Sequence, residues 1–237
     1  LLRAGAVDAV WPTPPGLLDE PLPPGYALGV TTSWRPRPLL LVARADLPPT
    51  TRIAARCALA HAVNRSDLGR EQGPTGRDLQ GWMGSTPRDW PSYDAREVDL
   101  WLDRGKLGRS FHVTVAYDAD GDAASLARRM QGEWSRLGLY VDLMPLRGVA
   151  FENEALRGHR AQLLLVDAQA PLDDARAVLA TLVMPIRGAP VGSFRTGWRT
   201  REFDAALRPT AGGPPLDERL ARQRLIEELV ALPLATL

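Results

Sequence analysis

The sequence predicts an α/β fold with a βαβαβ parallel-sheet core, and three runs in its middle carry that prediction. FHVTVAYD alternates as a strand, with Phe111, Val113, Val115 and Tyr117 on one face. DAASLARRMQGEWSRLG places apolar residues at 123, 126, 127, 130, 134 and 137, the stripe of an amphipathic helix, and Gly138 ends it. AQLLLVDA is a near-continuous apolar strand of the kind buried on both faces of a parallel sheet. Between these runs, LYVDLMPL reads as a further strand and VAFENEALRG as a short helix. Strand, helix, strand, helix, strand is the economical way to cover both faces of a parallel sheet.

Upstream, residues 1–49 are strand-like and rich in Pro: VDAVW, GYALGVTTSW and PLLLVARA are three short β-type runs separated by turns. They read as a strand-rich hinge segment, with 50–237 as the α/β body. In LPPTTRIAARCALAHAVN, the Pro pair with Thr50 or Thr51 signals a helix start, and Ala dominates the body. Ala adds little bulk, so such a helix can lie close against a sheet or another helix. Residues 69–92, rich in Gly and Pro and carrying Trp82 and Trp90, read as a long irregular loop. YDAREVDLWLDRGKLG is a short helix capped by Asp94 and stopped by Gly. After the third parallel strand, DDARAVLATLVM and REFDAALR read as helices, and LDERLARQRLIEELVAL as a last helix capped by Asp217.

Composition narrows the function classes. At 237 residues, 45% hydrophobic and 24% charged, the chain has the make-up of a globular protein with a real core. A net charge of +1 gives no electrostatic case for nucleic acid. Lys106 is the only lysine, and Arg219, Arg222 and Arg224 alternate with Glu218, Glu227 and Glu228 as a solvated helix face would. Cys57 has no second cysteine to pair with and reads as a buried, inert thiol in the Ala-rich helix. The longest apolar run, Leu39 to Ala43, is far short of the roughly 20 residues that span a bilayer. The chain opens on LLRAGAVDAVW, with no initiator Met and no signal-peptide pattern, and is expected to be part of a longer polypeptide. No Walker, Rossmann or G-x-S-x-G pattern occurs, and His61, His112 and His159 lack metal-ligand spacing, so neither enzyme nor cofactor is expected.

Several stretches, in order, resemble the C-terminal half of the extracytoplasmic solute-binding proteins of family 5, which serve peptide and nickel ABC transporters. GAVDAVW resembles that family's Gly-x-x-Asp strand through Gly5 and Asp8. RCALAHAVNRSDL is similar to its R-x-A-x-x-x-A-x-D-R helix, with Arg56, Ala58, Ala62 and Arg65 in place and Asn64 where Asp is usual. GSFRTGWRTREFDAALR is similar to its N-x-x-G-Y-x-N-x-x-x-D-x-L stretch, with Ser193 for Asn, Gly197 kept, Trp198 for Tyr and Asp204 kept. The helix YDAREVDLWLDRGKLG, the strand–helix–strand run and the final helix add to the match. The resemblance implies one lobe of a periplasmic-binding-protein-like (type II) clamp, with adjoining hinge. Where the family often has Tyr-Asp before the third strand and a Trp after it, this chain has Ala161-Gln162 and then Ala168.

The ligand-binding candidates follow from that layout. Asp167 and Gln169 lie at the carboxyl end of the third strand, where open α/β sheets place their ligands; the alternatives are solvated loop residues or a helix cap. Trp198 offers a stacking surface, with Ser193 and Arg195 as a donor and a charge; packing of the Trp against the lobe is the alternative. Trp82 and Trp90 suit a lid or a contact with another subunit. The resemblance implies a periplasmic or extracytoplasmic, membrane-associated protein that takes up a peptide or other small polar solute for an ABC permease. The alternative function is a degenerate lobe serving as an accessory subunit of another membrane complex.

Overall fold

The structure, a computed structural model, describes residues 38–65, 67–68, 89–108, 111–120, 123–167, 195–198 and 217–236. The chain divides into Leu1–Arg35, which lies outside the described residues, and Pro36–Leu237. In the second unit the order is β1 (Pro38–Ala43), α1 (Ile53–His61), α2 (Ala95–Arg104), β2 (His112–Asp118), α3 (Ala123–Arg136), β3 (Tyr140–Leu146), α4 (Val149–Arg157), β4 (Leu163–Asp167), α5 (Glu218–Glu228) and β5 (Ala231–Thr236).

The five strands form one sheet in the order β3-β2-β4-β1-β5. Strands β2, β3 and β4 are parallel, as expected, with Val115 opposite both Leu143 and Leu163. The chain steps from β2 to β3 in one direction and from β3 past β2 to β4 in the other. Right-handed crossovers then put α3 and α4 on opposite faces of the sheet. Four strands point the same way, and β1 alone runs against its neighbours β4 and β5. PLLLVA, the last run of the strand-rich segment 1–49, therefore sits inside the sheet of the α/β body, its residues 39–43 all buried. The runs VDAVW and GYALGVTTSW, the expected helices DDARAVLATLVM and REFDAALR, and Trp82 lie outside the described residues.

The apolar stripe of α3 does what its spacing predicts: Ala123, Leu126, Ala127, Met130 and Trp134 are buried against the sheet. Trp134 is fully enclosed, and its indole Nε1 donates to the Leu59 carbonyl of α1 at 3.2 Å. Helix α1 is buried on nearly every side, from Ala54 to Ala60, which explains a body made almost wholly of small residues. Its one long polar side chain, Arg56, donates to the Glu228 carbonyl at 2.6 Å, the Glu228 carboxylate at 2.9 Å and the Thr50 carbonyl at 2.8 Å. Arg56 thereby stitches the start of α1 to the end of α5. Cys57 is buried beside it; burial pushes its thiol up to about 11, with Arg56 opposing and Glu228 adding to the shift.

Two local expectations are corrected. Thr50 does not cap α1: its hydroxyl donates backwards, to the Arg44 carbonyl at 2.6 Å and the Leu47 carbonyl at 2.8 Å, and Arg52 holds the N-cap position without a side-chain bond. The last helix stops at Glu228. Leu229 adopts a left-handed φ of 47°, and ALPLAT turns back as β5 beside β1. The caps at Asp94 and Asp217 are as expected, accepting from Arg96, Glu97 and Leu220 amides.

Past the end of α4, the Glu154 carboxylate, 5% exposed, accepts from the Arg160 amide at 2.9 Å, the Ala161 amide at 3.0 Å and Arg160 Nε at 3.3 Å. Burial alone raises its proton affinity, but these hydrogen bonds and the Arg160 charge outweigh it, and the carboxyl sits below its ordinary value. A depressed carboxyl contributes stability that is complete above the unfolded value, about 4.3, and lost as pH falls through the lower folded one. Glu154→Gln should therefore cost about 1–2 kcal/mol at pH 7. Urea midpoints for the two proteins should converge as pH drops below about 4; a gap that stayed constant with pH would contradict this account.

Candidate functional site

The carboxyl ends of the parallel strands form one rim. Strand β2 ends at Asp118, opposite Leu146 of β3, and Tyr117 pairs with Leu165, so Asp118 and the β4 terminus Asp167 lie at the same edge. Backbone geometry shapes the rim: the Ala119 amide donates to the Leu146 carbonyl at 2.7 Å, and Asp118 Oδ1 accepts from the Asp120 amide at 3.1 Å. Gly148, with φ of 45°, turns the chain from β3 into α4. Arg147 and Asp120 pair at 3.3 Å as an exposed contact, 79% and 62% accessible, worth little to stability. Among the described residues no group of three His, Cys, Asp or Glu side chains could hold a metal ion.

The segment 195–198 docks at the other end of the sheet. The Ala45 amide donates to the Thr196 carbonyl at 2.7 Å, the Arg195 amide donates to Ala155 at 2.8 Å, and the Arg44 amide reaches Gln162, just before β4, at 2.8 Å. The Arg195 guanidinium donates to Asp46 Oδ2, and Asp46 Oδ1 accepts from Arg44 Nε at 3.3 Å. Arg44 is fully buried and also donates to the Gly158 carbonyl at 2.8 Å and the Glu154 carbonyl at 3.5 Å. Gly197 is required here twice over: its φ is 68°, and a Cβ would come within 2.3 Å of Asp46 Cγ. The result is a polar junction joining β1, α4 and the returning segment.

The expected site residues therefore do not converge. Asp167 ends β4 at the rim, whereas Arg195 joins the junction near the start of β4, about 13 Å away at the rise of a strand. Arg195 spends its charge on Asp46, and Trp198, 6% exposed, packs in the core as its alternative reading had it. Gln169 and Ser193 lie outside the described residues. Trp90, expected at a lid or partner surface, is also a core residue, 4% exposed, with its carbonyl and that of Pro91 accepting from Arg65. A large ring in a Gly/Pro-rich stretch gains more by burial than by waiting for a partner. The residues missed from sequence are Arg44 and Asp46; a charged R-A-D directly after an apolar strand was the available signal.

No family model and no curated protein matches the chain by sequence. Solved structures do. MoaA from A. tumefacien R10, in complex with mannopinic acid, superposes with a TM-score of 0.65 at 20% identity over 85% of this chain and 43% of that one. A dipeptide-binding protein from Pseudoalteromonas sp. SM9913, in complex with Met-Leu, gives 0.66 at 18% identity over the same shares, 85% and 43%. The ABC transporter substrate-binding protein CtaP from Listeria monocytogenes gives 0.66 at 15%, again over 85% and 43%. The fold is that of a solute-binding-protein lobe.

The lobe spans less than half the length of each of these proteins. At this level of identity the likeness is one of fold, and it agrees with the expected α/β half-clamp around a βαβαβ core. A clamp of this kind gains affinity by closing two surfaces and excluding water. In this lobe Asp118 and Asp167 stand at the carboxyl-end rim, and Arg195 stands at the junction at the other end of the sheet.

Proposed function

We propose that the chain is the solute-contacting lobe of an extracytoplasmic, non-enzymatic binding protein that presents a peptide or other small polar solute to an ABC permease. The observation that carries this reading is the superposition of 85% of the chain on proteins solved with mannopinic acid and Met-Leu bound. Two carboxylate residues on the rim, Asp118 and Asp167, favour a solute with a positive group, such as a peptide's α-ammonium. Among the described residues no helix is long and apolar enough to cross a membrane.

Calorimetric titration of the chain with a dipeptide panel tests the reading. One lobe alone is a half-site, so binding is expected near the millimolar range, with Asp118→Ala and Asp167→Ala each weakening it at least fivefold. Absence of binding across the panel, or binding indifferent to both substitutions, would overturn it. A second reading, an accessory subunit that keeps the fold and has lost the ligand, is favoured by one observation: Arg195 and Trp198 are both committed to internal contacts. It expects no response to any solute, and stable retention of the chain in a detergent-solubilised membrane complex.

A further inference from the structure

Away from the rim and the junction, a groove of about 650 Å³ runs along the outer side of α3, between it and the segment that follows α1. Its floor is held by a small network of side-chain bonds. Glu133 accepts from the Asn64 amide at 3.1 Å and from Arg129 Nε at 3.4 Å, and Asn64 Nδ2 donates to Asp67 at 2.7 Å. Arg129 also lies 3.9 Å from Asp67, so both acids of the groove are engaged. The outer row is different. Arg128, Gly132 and Arg136 follow one another at i, i+4 and i+8, which sets the two guanidinium-bearing residues about 12 Å apart along the axis. Both arginines are exposed, and neither has an ion pair among the described residues. Tyr93, 45% exposed, supplies an aromatic wall.

Gly132 is the telling residue. In the middle of a helix, Gly costs about 1 kcal/mol relative to Ala. Nothing in the described fold asks for it: its φ is not left-handed, and a Cβ added there would meet no atom within 4 Å. Its effect is to leave the groove open between two positive charges. A volume of this size matches a ligand pocket, and paired guanidiniums suit carboxylates.

We propose that this groove takes up an acidic peptide segment of a partner protein, with carboxylates on Arg128 and Arg136 and the peptide backbone laid over Gly132 beside the Tyr93 ring. The site is independent of the solute rim. The probe is fluorescein-labelled hexaglutamate, followed by anisotropy with the full chain at low salt. Arg128→Glu with Arg136→Glu should weaken binding at least tenfold, and Gly132→Trp, which fills the groove, should do the same with unchanged circular dichroism. The same two-residue charge reversal elsewhere, Arg157→Glu with Arg219→Glu, should change it less than twofold. No binding by the wild-type chain, equal loss in the two double variants, or wild-type affinity in Gly132→Trp would overturn the proposal. So would displacement of the peptide by inorganic phosphate where sodium chloride of equal ionic strength has no effect, since that marks a small-anion site.

Discussion

Replacing Trp134 with Ala should destabilise the protein by about 4 kcal/mol, the upper range for emptying a large buried site. The indole is fully enclosed where α3 packs on the sheet, and its Nε1 donates to the Leu59 carbonyl of α1 at 3.2 Å. Alanine would leave both an unfilled volume and a helix no longer tied to its neighbour. Trp134→Phe separates the two contributions: it keeps most of the volume, loses the hydrogen bond, and should cost about 1–2 kcal/mol. Urea denaturation followed by circular dichroism reads both. Domains are stable by only about 5–15 kcal/mol, so the alanine variant should lose a large share of its stability and unfold at a markedly lower urea concentration. A loss under about 1 kcal/mol would mean that α1 and α3 are not packed as described.

The second large effect is expected at Arg44. Its guanidinium has no contact with solvent and serves three acceptors: Asp46, the Gly158 carbonyl and the Glu154 carbonyl. Removing one partner of a buried ionic cluster costs about 3–5 kcal/mol, because the groups left behind stay desolvated and poorly matched. Arg44→Ala should fall in that range, softened because Arg195 still pairs with Asp46. Arg44→Lys should recover less than half, since one ammonium cannot reproduce a planar fork of donors. Hydrogen exchange gives a local signature: the Ala45 amide, bonded to Thr196 at 2.7 Å, should lose protection before the sheet does. If that amide exchanged at the wild-type rate in Arg44→Ala, the junction would not be what holds the segment 195–198.

The parts of the fold legible from sequence are those where burial follows a period. The α3 stripe, the alternation of β2 and the apolar run of β4 each repeat a simple geometric rule, and each is in place. What periodicity does not carry is partnership. Nothing in PLLLVA says that it lies in the middle of a sheet, because a strand's neighbours are set by distant segments. The end of α5 was hidden for a different reason: Leu229 takes the left-handed position that Gly usually marks, so the apolar letters of LVALPLATL run on without a stop signal. The helix start signalled by the Pro pair and Thr50 or Thr51 is in place, but Thr50 does not serve as its cap, because a hydroxyl can bond backwards into a turn as readily as forwards into a helix.

The sequence places some of the expected ligand-binding residues better than others. Asp167 lies at the expected rim, since the end of a parallel strand is a place defined along the chain. Arg195 and Trp198 have no such fixed place in the sequence, since a segment returning from far downstream meets whichever end of the sheet offers it partners. Here Asp46, the Ala45 amide and the Ala155 carbonyl lie at the other end.

The antiparallel placement of β1 has a consequence for biosynthesis. Leu41 is bonded between Leu165 and Leu232, so both neighbours of this apolar strand are translated long after it. At ribosomal speeds the first of them emerges on the order of ten seconds later. During that interval PLLLVA is a sticky, uncovered edge, the kind of sequence that holdase chaperones grip. Export before folding, or a chaperone that shields the nascent chain, would suit this topology better than rapid collapse on the ribosome.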